Sequence, residues 1–199
     1  EYNARLRLAI QNAKAANVPK ANIESAIKKA SSKDAENYEE VIYEGYGPHG
    51  VAMIVETATD NTNRTVANIR LAFSKGGGSL STSGSVDYMF ARKGQFHIEK
   101  DKLDMDTEEL ELELIDHGLE DLKEEEDKIL LLCDFADYGA LQQALEANKI
   151  EVKESELLRI PSHTKTINDD QVEDMIKLVQ RLEEDENVQN VFHKMDESE

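Results

Sequence analysis

The chain has 199 residues, of which 39% are hydrophobic and 33% charged, and 42 Asp/Glu stand against 23 Lys/Arg for a formal net charge of −19. That length suits two or three small domains with a lean core and a heavily charged surface. One cysteine, Cys133, excludes a fold stapled by internal disulfides, and no stretch approaches the ~20 consecutive apolar residues that span a bilayer. No signal-peptide pattern opens the chain, and residue 1 is a glutamate leading straight into a helical pattern, so the natural protein is expected to begin upstream.

Residues 3–17 are Ala-rich, with Leu6, Ile10 and Ala13 on one helical face. Pro19 interrupts, and Ile23, Ala26, Ile27 and Ala30 mark a second helix. Two short helices cannot enclose a core alone and must pack on something else, such as residues upstream. Tyr38–Glu44 alternates as a strand, EGYGPHG (44–50) is a Gly/Pro turn, and the apolar Val51–Thr57 reads as a central strand. Asn63–Lys75 reads as a helix capped by Asn63 and stopped by Gly76-Gly77-Gly78. Val86, Tyr88 and Phe90 alternate as a strand, Lys93-Gly94 reads as a turn, and Phe96 and Ile98 open a further strand.

From Gln95 to Ser162 the pattern predicts strand, helix (Thr107–His117), short strand (near 121–123), strand (Lys128–Cys133), helix (Tyr138–Ala147) and strand (Glu151–Arg159). That order is β-α-β-β-α-β, the ferredoxin-like arrangement. A helix starts at Asn168, with Gln171 placed for a capping box and Val172, Met175, Ile176, Val179 and Leu182 as its stripe; Val188, Val191 and Phe192 suggest a closing strand. The final α-β pair completes the first module, which makes the middle one an insertion. The expected class is α+β with three small domains: an N-terminal helical domain (1–36), a central α/β domain (37–93 and 166–199) and an inserted ferredoxin-like domain (94–165).

Little in the sequence suggests catalysis. The five histidines, His49, His97, His117, His163 and His193, are scattered without metal-ligand spacing, so no metal or cofactor is expected. Cys133 lies in an apolar run and reads as a buried hydrophobe. The acidic run 108–116 fits a solvated face better than a cation site. Gly76–Gly78 follows a helix and lacks the GK[ST] of a phosphate loop, so it reads as a C-cap and flexible connector.

Charge distribution points elsewhere. Residues 1–33 carry seven cations (Arg5, Arg7, Lys14, Lys20, Lys28, Lys29, Lys33) against Glu1 and Glu24, whereas residues 99–127 hold 15 acidic and 3 basic residues. An acidic chain repels nucleic acid as a whole, but a basic head can grip phosphates without reading sequence. Thr59–Thr65 (TDNTNRT) leads into a helix N-terminus that favours an anion, with Arg64 as a bidentate donor and Arg70 and Lys75 further along. A capped loop with a structural Arg explains the same residues equally well. The candidate nucleic-acid-binding set is Arg5, Arg7, Lys14, Lys20, Lys28, Lys29, Arg64, Arg70 and Lys75. The acidic insert is a candidate dock for a basic protein.

NARLRLAIQNAKAANVPKANIESAIKKA, EGYGPHG, TDNTNRT, AFSKGGGSLSTSGSVDYMF and LEEDENVQNVF together resemble the YebC/PmpR family, which includes a mitochondrial translational activator of cytochrome oxidase. The resemblance covers essentially the whole chain. It implies the three domains above, no enzymatic activity, and a cytoplasmic DNA-binding transcriptional regulator or, alternatively, a ribosome-associated translation factor. It also implies a short lysine-rich segment ahead of residue 1, and a Gly or Asn where His49 stands.

Overall fold

The computed structural model describes residues 4–31 and 38–196, with side chains from residue 6. In chain order the elements are helices α1 (Ala4–Ala15) and α2 (Lys20–Ala30), strands β1 (Glu39–Tyr46) and β2 (Ala52–Thr59), helix α3 (Thr62–Lys75), strands β3 (Ser79–Leu80) and β4 (Phe90–Glu99), helix α4 (Thr107–Ile115), strands β5 (Leu119–Glu124) and β6 (Lys128–Asp134), helix α5 (Tyr138–Ala147), strand β7 (Val152–Pro161), helix α6 (Asp169–Glu183) and strand β8 (Val188–His193). The strands form two four-stranded sheets, ordered β3-β1-β2-β8 and β5-β6-β4-β7. The molecule is of the α+β class, and it divides into two compact units, 1–33 with 92–159 and 34–91 with 160–199. The boundary expected after residue 93 falls inside β4.

In the second unit, α3 and α6 cover one face of the sheet. Tyr43, Met53 and Val55 meet Ile69, Phe73, Met175, Leu178 and Leu182 there. Ala52 and Ile54, pointing the other way, pack with Val86 and Phe90. Strand β2 is thus buried on both faces, which explains why its sequence is apolar without alternation. β8, far downstream in sequence, pairs antiparallel with β2, setting Val55 opposite Val191. Asn168 caps α6, and the reciprocal bond with Gln171 is formed.

Three local expectations come out differently, each for a packing reason. Asn61, not Asn63, caps α3, its side chain accepting the Arg64 N–H at 3.0 Å. The triple glycine is a close-packing device rather than a flexible connector: a Cβ on Gly78 would stand 2.4 Å from the Tyr46 carbonyl oxygen. Residues 87–89 form a 3-10 turn rather than a strand. The cause is Glu44, only 4% exposed, whose carboxylate accepts the N–H groups of Gly84 at 2.6 Å and of Val86 and Asp87 at 2.8 Å each. Two of these N–H groups are therefore withdrawn from any ladder through Val86 and Asp87.

In the first unit, β4 to β7 follow the succession β-α-β-β-α-β, with β4 and β6 central and Phe96 opposite Leu131. Phe96, Ile98, Ile129 and Leu131 face Leu110 and Leu114 of α4 and Leu141 and Leu145 of α5. β4 runs straight through Lys93-Gly94, where a turn was expected. Gly94 is required by close approach, since a Cβ there would lie 2.4 Å from the Tyr138 ring. That ring stacks on Phe96 with centroids 4.7 Å apart, and its hydroxyl bonds Ser155 Oγ at 3.0 Å.

The same unit contains α1. Leu8 packs against the insert's core. Asn12 Nδ2 donates to the Ser155 carbonyl at 2.9 Å, the Ser155 N–H returns to Asn12 Oδ1 at 3.3 Å, and Gln11 Nε2 donates to the Val152 carbonyl at 3.3 Å. β7 is an edge strand, and Asn12 meets Ser155 as a residue of a neighbouring strand would. The packing surface that the short helices need is thus supplied by the insert.

Candidate nucleic-acid interface

Helix α2 follows directly from Pro19, whose fixed φ suits a helix start. It contains no buried residue; Ile23 and Ile27 alone are half-buried, leaving Lys20, Lys28 and Lys29 exposed. At 3.6 residues per turn the three lysines spread over roughly half the helix circumference. Lys20 lies 3.6 Å from Glu24, a pair in which both side chains are exposed and which leaves the helix strongly basic. Lys14 on α1 is also exposed. Among the described residues no carboxylate lies within ion-pair distance of Lys14 or Lys28. Arg7 is turned to another task, reaching Glu146 of α5 at 3.9 Å and helping to seat α1. The Arg5 side chain and Lys33 lie outside the described residues.

At the N-terminus of α3 the polar loop is occupied with itself. Thr59 Oγ1 accepts the Asn61 N–H at 2.9 Å and shares a hydrogen bond with Thr65 Oγ1 at 2.7 Å. Arg64 donates to Asp60 at 2.6 Å. Burial would raise the Asp185 carboxyl, but the Asn187 N–H, the Asn68 and Asn187 amides and nearby Arg64 outweigh it and hold it below the usual range. An anion approaching this end meets an arginine already bracketed by two carboxylates. Arg70 and Lys75 are exposed, with Lys75 in the last turn, where a cation complements the dipole. A rise of 1.5 Å per residue places Arg64 and Lys75 about 16 Å apart along the axis, so the three cations of α3 do not converge.

The insert's acidity is partly cancelled within it. Glu99 bonds Lys102 at 2.6 Å and Lys153 at 2.7 Å, which hold its carboxyl down at about 2. Glu120 bonds Lys93 at 2.6 Å, Glu125 bonds Lys128 at 3.1 Å, and Glu124 pairs with Lys100. On the sheet face opposite α4 and α5, register places Gln95 beside Leu132 and His97 beside Leu130. No aromatic ring lies there on the paired residues of β4 and β6, so this face lacks the stacking platform that single-stranded RNA prefers. Cys133 is buried, and burial pushes its thiol up to about 11, far from a nucleophile's range. Among the described residues no group of three or more His, Cys, Asp or Glu could hold a metal ion, and no helix is long and apolar enough to cross a membrane.

The residues that sequence reasoning missed are Gln11 and Asn12, which tie the basic helices to the insert. Polar residues on an Ala-rich helix gave no sign of a partner strand more than a hundred residues away.

Comparison with known proteins agrees with this architecture. The model described as "TACO1/YebC protein N-terminal domain" matches residues 1–33, and "TACO1/YebC second and third domain" matches residues 38–195. A "probable transcriptional regulatory protein" of Porphyromonas gingivalis is 55% identical over all of this chain and 82% of its own length. One from Myxococcus xanthus is 46% identical over 98% of this chain and 82% of its own. The crystal structure of a conserved hypothetical protein from Aquifex aeolicus superposes with a TM-score of 0.80 at 38% identity, covering 98% of this chain and 80% of that one. With family models spanning nearly all of the sequence, the chain belongs to the TACO1/YebC family.

Proposed function

We propose that this chain is a cytoplasmic regulator of gene expression that binds nucleic acid, duplex DNA in the first instance, through the exposed cations of α1 and α2. Relatives named as transcriptional regulatory proteins support the regulatory part of this reading. The binding part rests on one observation: α2 exposes Lys20, Lys28 and Lys29 while burying no residue of its own. A helix built to stabilise the fold would spend a face on the core; this one holds its charge outward. Such contacts go to phosphates and carry no sequence information, so target choice must come from elsewhere. Lys14 extends the same surface, Arg7 supports it structurally, and Arg64, Arg70 and Lys75 contribute at most a secondary contact. The ferredoxin-like insert serves as the platform that carries the head.

The test is a gel shift with duplex DNA and with ribosomal RNA fragments, using the intact chain and a Lys20→Glu/Lys28→Glu/Lys29→Glu variant. The proposal expects the variant to lose most of its affinity for whichever polyanion the intact chain prefers. Unchanged affinity would refute it. A preference for ribosomal RNA over duplex would move the target to the ribosome, the alternative that the family resemblance carries.

A further inference from the structure

We propose that a groove along α6 is a docking site for an extended, lysine- and arginine-rich segment of a partner protein. The groove has a volume of about 780 Å³ and lies between the flank of α6 and the end of β8, wholly within the second unit. Val172, Ile176 and Val179 line its apolar part, and Asp169, Glu173 and Glu183 stand along it from the same helix. Ile176 is 44% exposed and adds its side chain to the apolar lining that Val172 and Val179 begin. Among the described residues no lysine or arginine lines the groove.

Two features choose the occupant. The carboxylates exclude a polyanion and favour a basic ligand, so this face is the chemical opposite of the α2 surface. The strand beside the groove, β8, is the last in its sheet and bears Val188-Gln-Asn-Val-Phe-His193, with neither the charge nor the proline that usually blunts an edge. An extended segment can therefore pair with β8 and turn alternate apolar side chains into the groove while its cations meet the acidic rim. The acidic insert was the place where the sequence suggested a basic protein would dock; there Glu99, Glu120, Glu124, Glu125 and Glu151 pair with lysines of the same unit, and what the groove adds to its carboxylates is a concave apolar lining beside a sheet edge.

The test uses the full chain and two acetylated, amidated peptides, one of four Lys-Val repeats and one with every Val replaced by Ser. Fluorescence anisotropy gives affinity, and amide exchange locates the site. The Lys-Val peptide is expected to bind about tenfold more tightly than the Lys-Ser peptide, because only it carries apolar side chains to bury. It should slow exchange along residues 189–193, and both Ile176→Asp and a Glu173→Lys/Glu183→Lys variant should weaken it about tenfold or more. Both substitutions fall on exposed side chains, and circular dichroism checks that the variants fold. Equal affinity for the two peptides would reduce the effect to charge alone and overturn the proposal. So would absence of binding, retention of binding in both variants, or protection on another face. Sedimentation covers the remaining occupant: a dimer dissolved by Ile176→Asp would put a second copy of the chain in the groove, and the partner reading would fall. The Lys20→Glu/Lys28→Glu/Lys29→Glu variant should bind the peptide unchanged, which separates this proposal from the nucleic-acid one.

Discussion

Glu44→Gln is the most informative single substitution in the fold. The native carboxylate gives one oxygen to Gly84 and the other to Val86 and Asp87. Glutamine keeps the shape and one acceptor oxygen, so at best two of the three bonds survive, now to a neutral acceptor. Hydrogen bonds to charged groups contribute about 1.5–3 kcal/mol, and a buried donor left unmatched costs about 1–3 kcal/mol. The amide nitrogen, facing the Gly84 N–H donor to donor, forfeits that bond outright. The sum comes to about 2.5–6 kcal/mol, a large part of the 5–15 kcal/mol typical of a domain. Glu44→Ala leaves all three donors unmatched and opens a cavity, so it should be more damaging still. Urea unfolding of the full chain gives the stability change, and amide exchange at Gly84, Val86 and Asp87 shows whether the loop opens locally. A Glu44→Gln protein within about 0.5 kcal/mol of the parent, with those three amides equally protected, would refute the reasoning, since that is the ordinary range of a surface substitution.

Asn12→Ala removes the amide that binds both backbone groups of Ser155; a loss of about 1–2 kcal/mol is expected, read by faster proteolysis near residues 16–20. Gly94→Ala drives a methyl into the Tyr138 ring and should cost about 1–3 kcal/mol by urea unfolding. The Glu99 carboxyl, held at about 2 against an ordinary 4.5 by Lys102 and Lys153, should titrate well below its neighbours in a carboxyl NMR series. Its folded value is depressed, so its ion-pair contribution is complete above about pH 4.5 and disappears as pH falls through about 2. A midpoint near 4.5 would show the two lysines to be disengaged.

Element type was legible wherever periodicity or caps decided it. The stripe and capping box of α6, the apolar run of β2 and the alternation that opens β1 all sit where their residues indicate. Misreadings occurred where a distant side chain overrode local pattern. Lys93-Gly94 has turn composition, yet the glycine serves the Tyr138 ring and the strand continues. Val86, Tyr88 and Phe90 alternate as a strand should, yet Glu44 captures the N–H groups of Val86 and Asp87. Glu44 itself, in an alternating strand, carries no sign of burial. The basic surface was legible as charge along the sequence, because exposed lysines on a helix need no tertiary partner. Its support was not, since the match of Asn12 to Ser155 depends on contacts across more than a hundred residues. Nor was the bracketing of Arg64, in which only Asp60 is close in sequence and Asp185 arrives from the far end of the chain.

The salt dependence of binding tests the central claim most directly. Each phosphate contact adds about 0.9 to the slope of log K against log salt for duplex DNA and about 0.7 for single strands. If Lys20, Lys28 and Lys29 all contact phosphates, replacing them with alanine should weaken binding and reduce the slope by about 2 to 3. A slope that stays the same in the triple variant would mean that the polyanion is held by another part of the molecule.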